Sequence, residues 1–330
     1  MAMLLDTIDR RLLDGWQRDL PLEPRPFARI GDMLNVSEGE VLDRLARFAA
    51  EGALSRVGAT LRPNTAGAST LAAVAAPEGE LEAAARRIAA EPGVNHVYAR
   101  EDAWNIWFVA TGPDRAHVQA ALTRIALNTG LSVIDLPLVR PYHIDLGFSL
   151  DGTRQASSEP EEAELDALRL GDDAILDYLT QGLDLTALPY RAMAGALGLE
   201  EAHVVARIQA LVGAGIITRL GLILRHRALG WTANAMVVWH IPEAEVDAAG
   251  KRLAAQPGVT LCYRRRPDAG AWPFNLYCMI HARSREEGLE TLDSAASGAG
   301  IGTLNRRVLF STRCFKQRGA MVASRPEAAA

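Results

Sequence analysis

The sequence predicts an α+β fold built twice in tandem, and three observations carry that prediction. The first half reads as three helices and a β-wing followed by β-α-β-β-α-β. Landmarks of that half return in the second at a near-constant interval. A polar, acidic stretch lies between the copies.

In the first half, Ile8, Leu12, Leu13 and Trp16 fall at helical spacing, and Pro21, Pro24 and Pro26 break the chain after them. Phe27, Ile30, Gly31 and Leu34 stripe a second short helix. Ser37 stands as an N-cap with Glu40 three residues on, the spacing of a capping box, and Val41, Leu42, Leu45 and Phe48 stripe the helix that follows. Gly52 ends it, and residues 54–61 read as a β-wing, completing a winged helix-turn-helix. Ser69–Ala76 then predicts a strand, Glu78–Ala90 a helix, Gly93–Asp102 with Trp104–Thr111 a hairpin, Asp114–Asn128 a helix and Leu131–Arg140 a strand, the ferredoxin-like βαββαβ order.

Phe27 corresponds to Tyr190, an offset of 163 (190 − 27), and the same offset takes Arg44 to Arg207, Gly52 to Gly215, Arg56 to Arg219, Gly58 to Gly221 and Gly67 to Gly230. Further on, Glu91-Pro92-Gly93-Val94 matches Gln256-Pro257-Gly258-Val259, Tyr98 matches Tyr263 and Arg100 matches Arg265. The expected plan is a winged helix-turn-helix at 1–62, a ferredoxin-like domain at 63–149, a linker at 150–168, a second winged helix-turn-helix at 169–227, and a second ferredoxin-like domain with a basic tail at 228–330. A fused pair of this kind is expected to pack as a pseudo-two-fold dimer.

With 49% apolar and 23% charged residues over 330 positions, the chain has the composition of a protein with real cores. Its formal charge of -5 gives no global reason for nucleic-acid binding. The cysteines are Cys262, Cys278 and Cys314, with no CxxC pair, so a zinc or iron–sulfur framework has no support. Asp6 and Asp9 interrupt the N-terminal segment as a secretory signal, and no run of 18 apolar residues occurs. A cytoplasmic protein without a membrane partner is expected. A Gly-rich phosphate loop, a Ser-His-Asp order and an HExxH motif are all absent from the sequence.

A winged helix joined to a ferredoxin-like domain resembles the leucine-responsive/asparagine-regulator transcription factors, whose recognition helix needs basic and polar base-readers. Here the first candidate helix, Glu38–Glu51, sets Glu38, Glu40, Asp43 and Glu51 against Arg44 and Arg47. The second, Leu199–Ala210, sets Glu200 and Glu201 against Arg207 and His203. Acid in the first turn suits the helix dipole but repels phosphate, so DNA is not the expected partner.

The candidate chemistry lies elsewhere. His96, Tyr98 and Arg100, together with Val94, share one face of a period-2 strand, and Tyr263 and Arg265 repeat the last two. Arg225-His226-Arg227 ends the second wing, Arg264, Arg265 and Arg266 run along one strand, Tyr277 and His281 follow, and Arg313, Lys316 and Arg318 close the chain's basic tail. Singly, such residues are edge charges that keep a sheet soluble. As a group, their guanidinium forks suit several carboxylates held at once. A histidine poised near neutrality can donate a proton, and His96 and His226 are the candidates.

The run Arg219–Trp239, the run Pro257–Arg265, the segment Trp272-Pro273-Phe274-Asn275-Leu276-Tyr277-Cys278-Met279-Ile280-His281 and the tail Phe315-Lys316-Gln317-Arg318-Gly319 resemble the siroheme decarboxylases, as do His96–Asp102 and Trp104–Phe108. The fused arrangement is like the D–L type of heme d1 biosynthesis. The resemblance implies conversion of siroheme to 12,18-didecarboxysiroheme, with siroheme as its own electron sink and no separate cofactor. It implies His226 and His96 as proton donors, or alternatively as ligands to the siroheme iron. Tyr98, Arg100, Arg225, Tyr263, Arg264, Arg265, Tyr277, His281, Arg313, Lys316 and Arg318 are then the substrate-binding set. It also implies assembly with further copies or with related subunits. Family members often carry two adjacent His after the wing Arg. Here the pair reads His226-Arg227, and the first half has Arg62-Pro63, so unequal sites in the two halves are expected. The other reading is a transcriptional regulator of the leucine-responsive type that senses a tetrapyrrole or an amino acid.

Overall fold

A computed structural model describes residues 4–144, 147, 150, 162–268 and 270–320. Part of the expected linker, residues 151–161, lies outside the described residues, as does the end of the tail beyond 320. The first half contributes α1 (Thr7–Gly15), α2 (Pro26–Leu34), α3 (Glu38–Ala50), β1 (Leu54–Leu61), β2 (Ala68–Val74), α4 (Leu81–Ala90), β3 (Val94–Arg100), β4 (Ile106–Gly112), α5 (Arg115–Thr129) and β5 (Val133–Ile144). The second repeats the order with α6 (Asp172–Gln181), α7 (Pro189–Leu197), α8 (Glu201–Gly213), β6 (Ile217–Leu224), β7 (Ala233–Trp239), α9 (Val246–Ala254), β8 (Val259–Arg265), β9 (Leu276–Ala282), α10 (Arg285–Gly298) and β10 (Arg306–Gln317).

Contacts group these elements by type, not by half. One unit takes both winged helices (1–68, 161–229 and 318–330), and the other takes both ferredoxin-like parts (69–160 and 230–317).

In the winged unit, β1 pairs antiparallel with β6, with Gly58 opposite Gly221. The first helix of each half packs on the wing of the other. The Leu183 amide donates to Val57 O (2.7 Å) after α6, and Leu222 donates to Trp16 O (2.7 Å) after α1. The repeated glycines make that approach possible: a Cβ at Gly58 would stand 2.3 Å from Leu179 O, and one at Gly221 would stand 2.5 Å from Trp16 O. An ion pair also repeats at the 163-residue interval: Arg44 binds Asp9 (2.6 Å), and Arg207 binds Asp172 (2.6 Å). Arg44 also binds the more exposed Asp6 (2.7 Å). The capping box expected at Ser37 is half made. Ser37 Oγ accepts from the Glu40 amide (3.1 Å), but the Glu40 carboxylate turns to Arg44 (2.7 Å). Asp6 and Asp9 form the complete box on α1.

In the other unit, eight strands close into a ring in the order β10-β3-β4-β2-β5-β8-β9-β7. The strand expected at Leu131–Arg140 runs on to Ile144 because it serves two partners. Val133–Pro137 of β5 pairs with β2, and Leu138–Ile144 pairs with β8 of the second half. β10 does the mirror-image thing, pairing through Phe310 with β7 and from Ser311 with β3. A period-2 pattern reads out a strand but not its partner, so this crossing has no sequence signal. Leu71, Trp107, Leu136, Met236, Tyr263, Tyr277, Met279 and Leu309 pack inside the ring. On its outer face, Trp239, Cys262, Cys278 and Phe310 pack with Val246, Leu253 and Leu292 of the helices.

Burial alone would raise the Asp172 carboxyl, but bonds from Arg207 and from the Arg169 amide hold it below its ordinary value. A depressed folded-state value stabilises the fold above the unfolded carboxyl's pKa, and that stabilisation is lost as pH falls through the depressed value. Asp172→Ala strands a buried guanidinium and is expected to cost roughly 3–5 kcal/mol by chemical denaturation. Asp172→Asn is expected to flatten the acid limb of the stability–pH curve, which a denaturation series from neutral to acid pH measures.

Candidate anion-binding site

β3 and β8 occupy equivalent places in the ring, four strands apart. A register shift between Val94 and His96 takes Val94 out of the expected alternation, so the face on β3 is His96, Tyr98 and Arg100. The face on β8 is Leu261, Tyr263 and Arg265, with Tyr263 and Leu261 against the ring's interior core.

Each arginine is held by the long strand that crosses from the other half. Arg100 Nη1 donates to Leu309 O of β10 (2.9 Å), and Arg265 Nη1 donates to Leu136 O of β5 (2.7 Å). Each guanidinium also lies over the tyrosine two residues back: Arg100 is 5.7 Å from the Tyr98 centroid, and Arg265 is 4.6 Å from that of Tyr263. His96 stacks on Tyr98 with centroids 6.2 Å apart. Arg100 is only 7% exposed, and the Arg265 Nε is buried with no hydrogen-bond partner. A guanidinium set among carbonyls and ring faces suits a carboxylate ligand.

The ring separates residues that the sequence groups together. His96, Tyr98 and Arg100 form one cluster with Asn234 (3.3 Å from Arg100 Nη1) and His281, whereas Tyr263 and Arg265 form another across the ring. The cluster at Arg100 draws on both halves of the chain. Tyr277 is fully buried. Its hydroxyl accepts from Trp272 Nε1 (2.8 Å) and donates to Phe274 O (3.3 Å), and its ring stacks under Tyr263 at 5.6 Å. It supports Tyr263 from within the core, and burial pushes its hydroxyl pKa up.

Three of the predicted basic residues lie on the outer face of the ring, facing helices. Arg264 binds Asp247 (3.1 Å) and Glu243 at α9. Arg313 binds Glu82 of α4. Lys316 Nζ donates to Ala89 O (2.7 Å) and Glu91 O (3.2 Å), capping the carbonyl end of α4. These contacts commit them to packing, because alternate residues of a strand point to opposite faces.

Arg225, His226 and Arg318 belong to the winged unit. Arg225 Nη1 donates to Gly52 O (3.4 Å), and His226 opens a short 3-10 turn. Arg56 lies nearby with its Nε buried and unpartnered, and burial together with the charge of Arg225 pulls it down to about 10. Arg318 is exposed. Sequence reasoning missed Asn234, Thr260 and Trp272. Asn234 is legible in hindsight as the polar residue in the otherwise apolar strand Ala233–Trp239. No three His, Cys, Asp or Glu among the described residues cluster as a metal site.

Two family models match this chain. The siroheme decarboxylase NirDL-like HTH domain matches residues 9–54 and 172–217, and the AsnC-like ligand binding domain matches 66–143 and 228–316. The siroheme decarboxylase NirDL subunit of Paracoccus denitrificans is 55% identical over 97% of this chain and 99% of its own length. The chain belongs to the siroheme decarboxylase family. The NirD subunit of Stutzerimonas stutzeri, at 49% identity, spans 45% of this family member and 97% of itself, which is one half of the duplication. A solved siroheme decarboxylase NirDL in co-complex with an iron-uroporphyrin III analogue shares the fold at a TM-score of 0.65 and 23% identity, covering 94% of this chain and 93% of that one. Among the described residues, no helix is long and apolar enough to cross a membrane.

Tyr277→Phe removes the acceptor of a buried indole N–H and is expected to destabilise the chain by about 1–3 kcal/mol. Urea denaturation, followed by the change in tryptophan emission, measures it.

Proposed function

We propose that this chain is a carboxy-lyase that removes the C12 and C18 acetate carboxyls of siroheme, giving 12,18-didecarboxysiroheme in heme d1 biosynthesis. The observation that carries the reading is the pair of Tyr–Arg clusters inside the strand ring, with guanidiniums pinned by strand carbonyls. It stands in a chain 55% identical to a siroheme decarboxylase NirDL subunit.

The chemistry asks for two different things. At each reacting acetate, the bond to the carboxyl carbon breaks and CO2 leaves. The electron pair enters the conjugated macrocycle, and a proton must be added at the remaining carbon to leave a methyl group. An arginine clamped on that same carboxylate would stabilise the ground state and slow the loss. Arg100 and Arg265 are therefore assigned to carboxylates that do not react, where binding energy fixes the ring's position. Tyr98 and Tyr263 flank them and present aromatic surface to the macrocycle. His96, stacked on Tyr98, is the proton donor assigned to the Arg100 cluster. His226, in the winged unit, is the second candidate, and ligation of the siroheme iron is the other role open to either histidine. Siroheme itself supplies the electron sink, so no further cofactor enters the scheme.

The regulator reading is disfavoured by the candidate recognition helices. Arg44 is spent on Asp6, Asp9 and Glu40, and Arg207 on Asp172, which removes both from phosphate contact.

Anaerobic incubation with siroheme is expected to yield a product lighter by two molecules of CO2. An unchanged mass would overturn the reading. His96→Ala and His226→Ala are each expected to lose CO2 release while retaining siroheme binding. Turnover at the wild-type rate removes the residue concerned from the scheme, and an altered iron spectrum in a variant assigns it to ligation. Arg265→Gln is expected to weaken binding of iron-uroporphyrin by about tenfold or more, as loss of a charge-assisted bond does. Arg264→Gln, one residue away but facing α9, is expected to leave that affinity unchanged.

A further inference from the structure

His281 was grouped above with the substrate-binding residues, but both of its ring nitrogens are engaged within the protein. Nε2 lies 2.6 Å from Asn234 Nδ2, and Nδ1 lies 2.9 Å from Thr260 Oγ1. The direction of every bond in this chain is fixed from its ends. Arg100 has no acceptor, so it must face the Asn234 carbonyl oxygen, at 3.3 Å from Nη1. That leaves the Asn234 amide nitrogen to donate to His281 Nε2, which must therefore carry no proton. At the other end, Thr260 Oγ1 donates to Met279 O (3.0 Å), so it accepts from Nδ1, which carries the proton. The result is a single neutral tautomer with no freedom to flip. Burial and the nearby Arg100 charge disfavour a charged ring further, pulling His281 down to about 4.

The second cluster has other residues at the equivalent places. Strand register places Ser69 where Asn234 stands, because Leu71 pairs with Leu136 as Met236 pairs with Leu309. Trp107 pairs with Tyr98 as Tyr277 pairs with Tyr263, which puts Thr111 in the place of His281. Arg265 is held by Leu136 O and the tyrosine faces.

We propose that Asn234, His281 and Thr260 form a positioning relay that fixes the plane of the Arg100 guanidinium, so that the Arg100 cluster holds a carboxylate in one orientation. His281 is on this account a positioning residue, not a proton donor. The inference rests on the reading of Arg100 as a carboxylate anchor.

A double-mutant cycle with iron-uroporphyrin, followed by its absorbance change, tests the relay. Asn234→Ser, which copies the other cluster, is expected to weaken binding about tenfold when Arg100 is present. Added to Arg100→Gln, it is expected to cost nothing further, because the relay acts only through that arginine. An equal loss in both backgrounds, or no loss in either, would overturn the proposal. A second readout needs no ligand. The 15N signals of His281 are expected to show one neutral ring protonated on Nδ1 between about pH 5 and 8, where an ordinary histidine titrates. Thr260→Val, which keeps the side-chain volume, is expected to shift those signals. A ring that charges in that range, or a proton on Nε2, would contradict the relay. Failure to release CO2 from siroheme would overturn the decarboxylase reading and leave both of these measurements standing.

Discussion

The crossing of two long strands is the constraint on which the interior depends. β5 and β10 each leave their own half after about half their length and finish beside a strand of the other half. The ring can close only because both do so, and closure removes the sheet edges that would otherwise invite pairing with other chains. The same crossing brings Leu309 O to Arg100 and Leu136 O to Arg265. Two cations are thereby held inside an apolar ring, at positions no single half could create.

Charge on the strands is sorted by face. Arg264 and Arg265 are neighbours in sequence, yet one meets Asp247 on α9 and Glu243 just before it, and the other meets Tyr263 inside the ring. Asp247 serves three partners on the outside, taking bonds from Tyr142 (2.5 Å), Arg264 (3.1 Å) and Arg140 (3.2 Å), and these, the tyrosine hydroxyl first, hold its carboxyl below its ordinary value. The outer arginines tie helices to the ring. The inner ones lie against strand carbonyls and tyrosine rings. A basic run in sequence therefore mixes two settings that only the pleat separates.

Much of the fold was legible. Helical stripes, caps and period-2 strands gave the element order, and the 163-residue interval gave the duplication, because close approaches such as Gly58 and Gly221 demand the same residue in both copies. Tyr98, Arg100, Tyr263 and Arg265 could be singled out since polar groups on the inner face of a buried strand need a reason. What could not be read was pairing between strands distant in sequence. That pairing decides that Lys316 caps α4 and that Arg313 meets Glu82. Asn234 and Thr260 escaped notice for the same reason, as their meaning lies in a partner on another strand.

The central claim is that the two inner arginines, and not the outer basic residues, receive the carboxylates of the macrocycle. A structure of the chain with iron-uroporphyrin bound measures this most directly. The account predicts porphyrin carboxylate oxygens within about 3.2 Å of the guanidinium nitrogens of Arg100 and Arg265. Carboxylates seated instead on Arg264, Arg313 or Lys316, with Arg100 and Arg265 keeping only their strand carbonyls, would contradict it.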